Sequence, residues 1–302
     1  MQAASEKKTQ DWQCVLICWG DKYSNTEVNF LWEKITSYDP HCVQCTLLTD
    51  RVRDEINPSI KQKLIPSFYL SAEMLKSTHA KLSMFEEGIL EVAIPAIYVD
   101  LDTLVFGRLG TLLGELKSCQ NLMMIPGRGR LRNIRRFFAK YRGGLKFPRA
   151  NSSVVVFYPK FWFSLAECFR NEIAGGAKLQ GERLMIDDRY IAWFAQRHLQ
   201  SVPKTHVVKF GTEFVLPMAW LSKLKSYLPW VRRRRANLIA ITLPGNDFKV
   251  ETLAILKNGD IVSESRGRKL FWNDKTIGVT QRKIIDYAKE LESKILINQA
   301  NL

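Results

Sequence analysis

The sequence lacks the features of a membrane-spanning or secreted chain. It contains no run of about 18 apolar residues, the length from which a spanning helix is recognised. Its first ten residues, MQAASEKKTQ, lack the apolar core of a signal peptide. We therefore expect a cytoplasmic protein that does not cross a membrane, and peripheral contact with a membrane surface stays open. No internal repeat or low-complexity tract is present.

Histidine and cysteine are scarce and are not spaced as in common metal sites. The four histidines form no HxH or HExxH pattern, and of the six cysteines Cys42 and Cys45 form a CxxC pair. No second CxxC and no suitably spaced histidine pair completes a zinc site. We interpret all six cysteines as reduced thiols, which fits a cytoplasmic location.

Acidic residues are outnumbered by basic ones, 30 to 45, which gives a formal net charge of +15. Such a charge predicts attraction to phosphate groups, anionic lipid surfaces or nucleic acid. Seven of the basic residues lie between Arg128 and Arg142. This segment is either a solvated basic helix or a glycine-flanked segment that contacts phosphates. With 46% hydrophobic residues, the 302-residue chain can bury the core of one large domain, with or without an appendage.

A pair of acids, Asp100 and Asp102, follows the apolar run at 96–99. Alternate residues of a strand point the same way, so both carboxylates are expected on one side at the end of a strand. Two neighbouring carboxylates repel each other unless a cation or a proton lies between them. The pair therefore favours a hard divalent metal with oxygen ligands. The alternative is an acidic turn that closes a buried strand.

The first fifty residues predict a strand, a helix and a second strand, at 13–19, 25–38 and 43–48. This order is typical of a parallel α/β sheet, whose ligands gather at the carboxyl ends of the strands. Gly20 and Asp21 follow the first strand, and Asp50 follows the second. We therefore expect these residues at a binding edge.

Three later stretches add polar candidates. A predicted helix at 71–90 contains Lys81, and Asn151 and Ser152 open a strand that continues to 158. Asp187 and Asp188 stand at the head of another predicted helix. Carboxylates are favoured at helix N-termini, so capping explains one of these acids but not both.

The stretch from Trp220 to Arg235 mixes tryptophan, leucine, lysine and arginine. Such a mixture suits a helix that lies in the headgroup layer of an anionic membrane. The alternative is a core-facing helix followed by a solvated arginine turn.

Further on, an Asn-Gly turn at 258–259 predicts a hairpin over 253–262, and a closing helix is predicted over 280–297. We divide the chain into a polar tail (1–10), a main domain (11–249), and a hairpin and helix (250–302) packed on it.

Taken in order, these motifs resemble the GT-A glycosyltransferases with a DxD motif, especially their glycogenin-like and lipopolysaccharide-glycosyltransferase-like group. The resemblance covers about residues 13–215. It implies an α/β fold with a Rossmann-like, mixed but mainly parallel sheet flanked by helices. It also implies transfer of a sugar, expected to be a hexose from a UDP-sugar, to a glycan, lipid or protein acceptor. No specific nucleic acid partner is expected.

The resemblance also implies roles for individual residues. Asp100 and Asp102 would hold Mn²⁺ or Mg²⁺, and Asp187 and Asp188 would act next to the transferred sugar. The expected donor-binding residues are Trp19, Gly20, Asp21, Tyr23, Asp50, Lys81, Asn151 and Ser152.

The sequence departs from the family pattern at two places. The family usually supplies a third metal ligand as histidine, whereas the comparable stretch 242–247 has none and offers Asp247 as a substitute. Asp188 stands where glutamine is typical. A retaining reaction is favoured by the resemblance, but a carboxylate at this place could instead act as the base of an inverting one.

Two other interpretations remain. The motif from Asp100 to Leu104 also resembles the opening motif of haloacid-dehalogenase-type phosphatases, in which the first Asp is the nucleophile. That motif normally begins its domain, whereas a complete strand–helix–strand unit precedes it here. A basic nucleic-acid-binding protein is the other alternative, and only the charge supports it.

Overall fold

The structure, a computed structural model, describes residues 10–127, 149–181, 183–245 and 247–300. The basic segment from Arg128 to Arg142 lies outside the described residues. The chain divides into two compact units, each made of three chain segments. The first unit comprises Met1–Lys22, Pro40–Val99 and Gly110–Val202, and the second comprises Tyr23–Asp39, Asp100–Leu109 and Pro203–Leu302.

The described strands are β1 (Trp12–Cys18), β2 (Cys42–Thr49), β3 (Ile60–Leu64), β4 (Ala96–Val99), β5 (Thr103–Val105), β6 (Leu122–Pro126), β7 (Ala150–Phe157), β8 (Leu199–Ser201), β9 (Val207–Lys209), β10 (Val215–Leu216), β11 (Ala240–Thr242), β12 (Ile261–Ser263) and β13 (Lys269–Phe271). The described α-helices are α1 (Asn25–Tyr38), α2 (Ala72–Lys76), α3 (Phe163–Ala174), α4 (Asp187–Phe194), α5 (Phe210–Glu213), α6 (Ala219–Ser226), α7 (Pro229–Ala236), α8 (Val250–Ala254), α9 (Asp274–Ile277) and α10 (Val279–Ala300). Short 3₁₀ helices span Ser67–Leu70, His79–Phe85, Leu109–Glu115 and Pro159–Phe161.

A seven-stranded sheet in the order β3-β2-β1-β4-β7-β6-β8 forms the centre of the first unit. All of its neighbouring strands run parallel except β7, which is antiparallel to both β4 and β6. Every residue of β1 and of β4 is buried, as expected for strands covered on both faces. The predicted α/β architecture with a mainly parallel mixed sheet is confirmed.

The pairing register brings several strand ends to one edge of this sheet. Cys18 of β1 pairs with Thr49 of β2, and Val99 of β4 lies opposite Val154 of β7. Because β7 is antiparallel, its amino end lies at the same edge as the carboxyl ends of β1, β2 and β4. Asp100 is the next residue of the chain after β4.

The second unit contains two three-stranded sheets, in the orders β5-β11-β9 and β10-β13-β12. Its apolar core includes the buried rings of Phe210, Phe248 and Trp272. Helix α1, which begins with a capping box between Ser24 and Glu27, lies against α10 in this unit. Among the described residues, no helix has both the length and the hydrophobicity needed to cross a membrane.

Local structure differs from the sequence-based prediction at two places. The helix predicted over 71–90 is instead α2 followed by the 3₁₀ helix His79–Phe85. The hairpin predicted over 253–262 is wrong in position, because residues 250–254 form α8 and the paired strands are β12 and β13. The turn of that hairpin includes Gly267, whose N–H donates to the carbonyl of Glu264. Residues Asn258 and Gly259 form a turn that precedes it.

The basic stretch that ends at Arg235 is divided by Pro229, which occupies the first turn of α7 and so separates it from α6. Two of its four terminal arginines point inward. Arg234 and Arg235 both bind the buried carboxylate of Glu213, at 2.5 and 2.8 Å, and Lys225 lies 3.2 Å from it. Arg235 is only 4% exposed. The alternative of a solvated arginine turn is therefore wrong for Arg234 and Arg235, whereas Arg232 and Arg233 are exposed.

The Glu213 cluster leads to a stability prediction. Burial alone would raise the pKa of Glu213, but the three cations lower it below its ordinary value. Glu213→Gln leaves Arg235 buried without its counter-charge, so we expect a loss of about 3 kcal/mol in the free energy of unfolding at neutral pH. Urea denaturation measures the loss. Because the folded-state pKa is lowered, the advantage of the wild type is present at neutral pH and disappears as the pH falls through that pKa.

The matched control is Glu251→Gln, which removes the same charge from an exposed position. We expect it to change the free energy of unfolding by less than about 0.5 kcal/mol. Equal stability of the two variants would contradict a structural role for the Glu213 cluster.

Candidate active site

The loops after β1 and β2 are joined through Asp50. The N–H of Gly20, which has a left-handed φ of 62°, donates to Oδ2 of Asp50 at 3.1 Å. Arg53 donates to the carbonyl of Gly20 at 2.6 Å and to Oδ1 of Asp50 at 3.3 Å. The predicted donor-binding residues Gly20 and Asp50 are thus brought together, and Arg53 links them.

Arg53 was not predicted from the sequence. Its side chain is buried, and its Nε donates to the hydroxyl of Thr49 at 2.9 Å. Its backbone N–H and carbonyl form two hydrogen bonds of 2.9 Å with the side chain of Gln62, which fixes the loop after β2 to β3. A single arginine after a strand does not indicate, from the sequence alone, that its side chain will be buried and will link two loops.

Arg51 supplies an accessible positive charge beside these groups. Its half-exposed guanidinium forms an ion pair with Asp21 and lies 3.5 Å from Asp50. Burial alone would raise the pKa of Asp50, but the N–H of Gly20 and the two guanidinium groups lower it below its ordinary value. Asp50 is therefore ionised at neutral pH. The loops after β1 and β2 carry both negative and positive side chains beside it.

The second group of polar residues surrounds Asp187, in the first turn of α4. Asp187 is only 3% exposed, and its carboxylate accepts hydrogen bonds from the hydroxyls of Thr78 and Ser152. Burial and the neighbouring Asp188 raise the pKa of Asp187 to about 6, although Lys81 and the two hydroxyls oppose the rise. Lys81 is itself buried, with its ammonium 5.5 Å from the ring centre of Tyr98.

Asp188 binds the start of β7. Its Oδ1 accepts from the backbone N–H of Ser152 at 2.5 Å, and its Oδ2 accepts from the side-chain amide of Asn151 at 3.2 Å. The residue before α4, Ile186, makes no capping hydrogen bond with its side chain. Because Ile186 is the N-cap residue, the alternative that one of the two acids caps α4 is wrong, and Asp188 instead links α4 to β7.

Thr78, which contacts Asp187, is a second residue that was not predicted from the sequence. It has a φ of 63°, a left-handed conformation that is strained for a β-branched side chain. The adjacent His79 ring is stacked on Phe169, with ring centres 5.0 Å apart, and burial lowers its pKa to about 4. Packing of His79 thus helps to hold the backbone in the conformation from which Thr78 reaches Asp187.

Asp100 and Asp102 belong to the second unit, where they precede β5. The carbonyl of Asp100 accepts from the N–H of Thr103 at 2.9 Å, and that of Asp102 accepts from the N–H of Leu243 at 3.0 Å. The pair is therefore fixed by a tight turn and by the neighbouring β11 segment. In the described part of the chain, no cluster of three or more His, Cys, Asp or Glu side chains is placed to hold a metal.

Three predicted residues remain: Trp19, Tyr23 and Asp247. Trp19 is half-buried against the core of the first unit, and Tyr23 belongs to the second unit. Asp247 accepts a hydrogen bond of 3.0 Å from the N–H of Ser265, which lowers its pKa. Its carboxylate therefore has a structural partner in the hairpin segment.

Comparison with known proteins identifies the fold. No protein-family model matches the sequence, and no curated protein matches it. Solved structures do match. The galactosyltransferase LgtC, crystallised with donor and acceptor sugar analogues, is 11% identical and aligns over 92% of this chain and 95% of its own, with a TM-score of 0.55.

The chain has a GT-A-like glycosyltransferase fold. The bifunctional glycosyltransferase WbbM aligns with 97% of this chain and 53% of its own, at 13% identity and a TM-score of 0.52. The apo form of the glycosyltransferase GlyE from Streptococcus pneumoniae TIGR4 aligns with 92% of this chain and 60% of its own, at 14% identity and a TM-score of 0.50.

The environment of Asp187 predicts a pH-dependent stability difference. Because its folded-state pKa is raised from 3.8 to about 6, ionisation of Asp187 costs stability as the pH rises through that interval. Asp187→Asn removes this cost. Relative to wild type, we expect the variant to gain up to about 3 kcal/mol between pH 4 and pH 7. Denaturant unfolding at both pH values measures it, and a difference that does not change with pH would contradict the raised pKa.

Thr78 gives a second prediction. Thr78→Val keeps the β-branched shape but leaves one oxygen of Asp187 without its hydroxyl donor, so we expect a loss of about 2 kcal/mol in the free energy of unfolding. Thr78→Ser retains the donor and should lose less than about 1 kcal/mol. Denaturant unfolding at neutral pH compares the two. If serine and valine were equally destabilising, the hydroxyl would have no role in holding Asp187.

Proposed function

We propose that this protein is a metal-dependent glycosyltransferase that moves a hexose from a nucleotide-diphosphate donor, UDP-sugar being favoured, to a glycan, lipid or protein acceptor. The observation that carries the proposal is the alignment of nearly the whole chain with a galactosyltransferase fold. The polar groups described above support it. The phosphatase and nucleic-acid alternatives gain no support from the structural neighbours.

The edge formed by Gly20 and Asp50 suits the nucleoside part of the donor. A carboxylate that stays ionised at neutral pH can accept hydrogen bonds from a base or a ribose. Arg51 is accessible and adds a cation, which suits an anionic ligand. In this proposal Arg53 acts through Asp50 by holding the loops after β1 and β2 together, and Trp19 and Asp21, which flank Gly20 in the chain, belong to the same donor-binding set.

Asp187 suits the reacting end of the donor. With a pKa of about 6 it is mostly ionised at neutral pH, although it is buried. In the proposed reaction its carboxylate orients the transferred sugar or stabilises the positive charge that develops at the anomeric carbon. Lys81, which lowers the pKa of Asp187, keeps that charge in place. Below about pH 6 the carboxylate is protonated and this stabilisation is lost.

The hydrogen bonds of Asp188 suit a positioning role, and the retaining reaction favoured by the resemblance is kept in the proposal. Both of its oxygens already accept hydrogen bonds from β7, one from the backbone and one from the amide of Asn151. We therefore assign Asp188, with Asn151 and Ser152, to the positioning of Asp187 and the donor.

The residues at 100–102 fit a hard divalent cation that shares its coordination with substrate. Magnesium is commonly held by one or two carboxylates together with phosphate oxygens and water. Asp100 and Asp102 supply two such carboxylates, and the described residues add no third protein ligand beside them. When bound, Mn²⁺ or Mg²⁺ would neutralise negative charge on the departing diphosphate.

The proposal predicts separable effects on binding and turnover. With Mn²⁺ present, a UDP-sugar at a concentration near 100 times its Kd should stabilise the wild type by about 2.7 kcal/mol. Asp100→Asn and Asp102→Asn should lose the metal-dependent part of this thermal shift. Asp187→Asn should retain donor binding while the rates of donor hydrolysis and transfer fall at least about 100-fold. A panel of nucleotide sugars, screened with Mn²⁺ and with EDTA, provides the measurement.

Asp247→Asn is the matched control, because its carboxylate binds the N–H of Ser265. It should leave the metal dependence unchanged. Full activity of the Asp100 and Asp102 variants, or of wild type in EDTA, would refute the metal mechanism. Release of phosphate from a generic phosphomonoester, without any response to nucleotide sugars, would instead favour the phosphatase.

A further inference from the structure

Helix α6 buries polar side chains and exposes apolar ones. Its serines, Ser222 and Ser226, are buried, and their hydroxyls donate to the carbonyls of Phe214 and Lys223. Trp220 and Leu224, one turn apart, are exposed, Trp220 by 59%. Surface helices normally bury their apolar side chains, so this arrangement indicates that the exposed face has a partner.

The exposed stripe continues beyond α6. Tyr227 lies one further turn along, and Trp230 at the start of α7 is 65% exposed. Tryptophan and tyrosine combine an apolar ring with one polar group, which suits a boundary between water and an apolar phase. We call Trp220, Lys223, Leu224, Tyr227 and Trp230 the α6–α7 face.

A pocket of about 480 Å³ opens beside this face. Apolar side chains from α6 and from the β12–β13 hairpin line it together with two lysines: Met218, Trp220, Ile261, Phe271, Lys223 and Lys269. Such a pocket suits part of an amphiphile with an apolar body and an anionic group.

The charges near the face are positive. In the described part of the chain, neither Lys223 nor Lys269 forms an ion pair. Arg233 is exposed, and the guanidinium of Arg232 lies 5.9 Å from the ring centre of Tyr227. Residues 217–236 contain no aspartate or glutamate. These cations remain available because Glu213 is bound by other side chains, those of Lys225, Arg234 and Arg235.

We propose that the α6–α7 face binds the surface of an anionic lipid bilayer. Trp220, Leu224, Tyr227 and Trp230 insert between headgroups, while Lys223 and Lys269 contact lipid phosphates and the pocket beside them accepts part of a lipid. The combination of exposed aromatic rings with unpaired lysines favours this occupant over a second copy of the chain, whose matching face would carry the same positive charge. The proposal is independent of the transferase activity.

Vesicle flotation tests the proposal with full-length protein. Wild type should float with phosphatidylcholine vesicles that contain phosphatidylglycerol, and much less with phosphatidylcholine alone. Lys223→Glu combined with Lys269→Glu should weaken binding to the anionic vesicles by at least about fivefold for each lysine, the factor that corresponds to about 1 kcal/mol per basic residue. Trp220→Ser combined with Leu224→Ser should abolish flotation.

Matched controls change two exposed apolar residues and two exposed lysines outside this face. Val52→Ser with Ile255→Ser, and Lys117→Glu with Lys204→Glu, should bind like wild type. All the substituted side chains are solvent-accessible, and circular dichroism confirms that each variant is folded.

The proposal is overturned if wild type does not float with anionic vesicles, if it binds neutral vesicles equally well, or if the face variants bind as tightly as the controls. Size-exclusion chromatography with light scattering, without lipid, tests whether a second copy of the chain binds the face instead. A dimer that Trp220→Ser with Leu224→Ser converts to monomer would identify the face as a contact between two copies and also overturn the proposal.

Discussion

Burial of one carboxylate constrains much of the first unit. An ionised acid that is withdrawn from water needs hydrogen-bond donors and a nearby positive charge. Asp187 obtains its donors from two separate segments, at Thr78 and Ser152, and lies within the electrostatic reach of Lys81. The same residues fix where α4 begins relative to β7. A site built in this way is pre-organised, because its charge is already held before any ligand binds.

Much of the framework could be predicted because it depends on local patterns. The strands β1, β2 and β4 are mostly apolar and are followed by polar residues, and α1 repeats its apolar residues at helical spacing. The strand–helix–strand order then implies a parallel sheet, and polar strand ends imply a binding edge. The prediction that Gly20 and Asp50 share such an edge therefore needed only the order of elements.

The parts that were missed depend on contacts between distant residues. A positive φ at threonine has no sequence signature, so the role of Thr78 could not be inferred. The charge of Arg235 gave no indication that it would be buried against Glu213, 22 residues earlier. Helix α8 was taken as a strand because Leu253 and its apolar neighbours suit either structure when isolated. The choice between them is made by packing in the second unit.

The segmented composition of the second unit has a consequence for folding during synthesis. Helix α1 contributes Phe30 to a core whose partner ring, Tyr287, comes from α10, with ring centres 4.9 Å apart. The ion pair between Lys34 and Glu290 joins residues that are 256 positions apart. At about 5–20 residues per second, a ribosome needs roughly 13–50 s to add that many. During this interval Phe30 and Lys34 have no native partner in α10, so this part of the second unit is completed only after nearly the whole described chain has been synthesised.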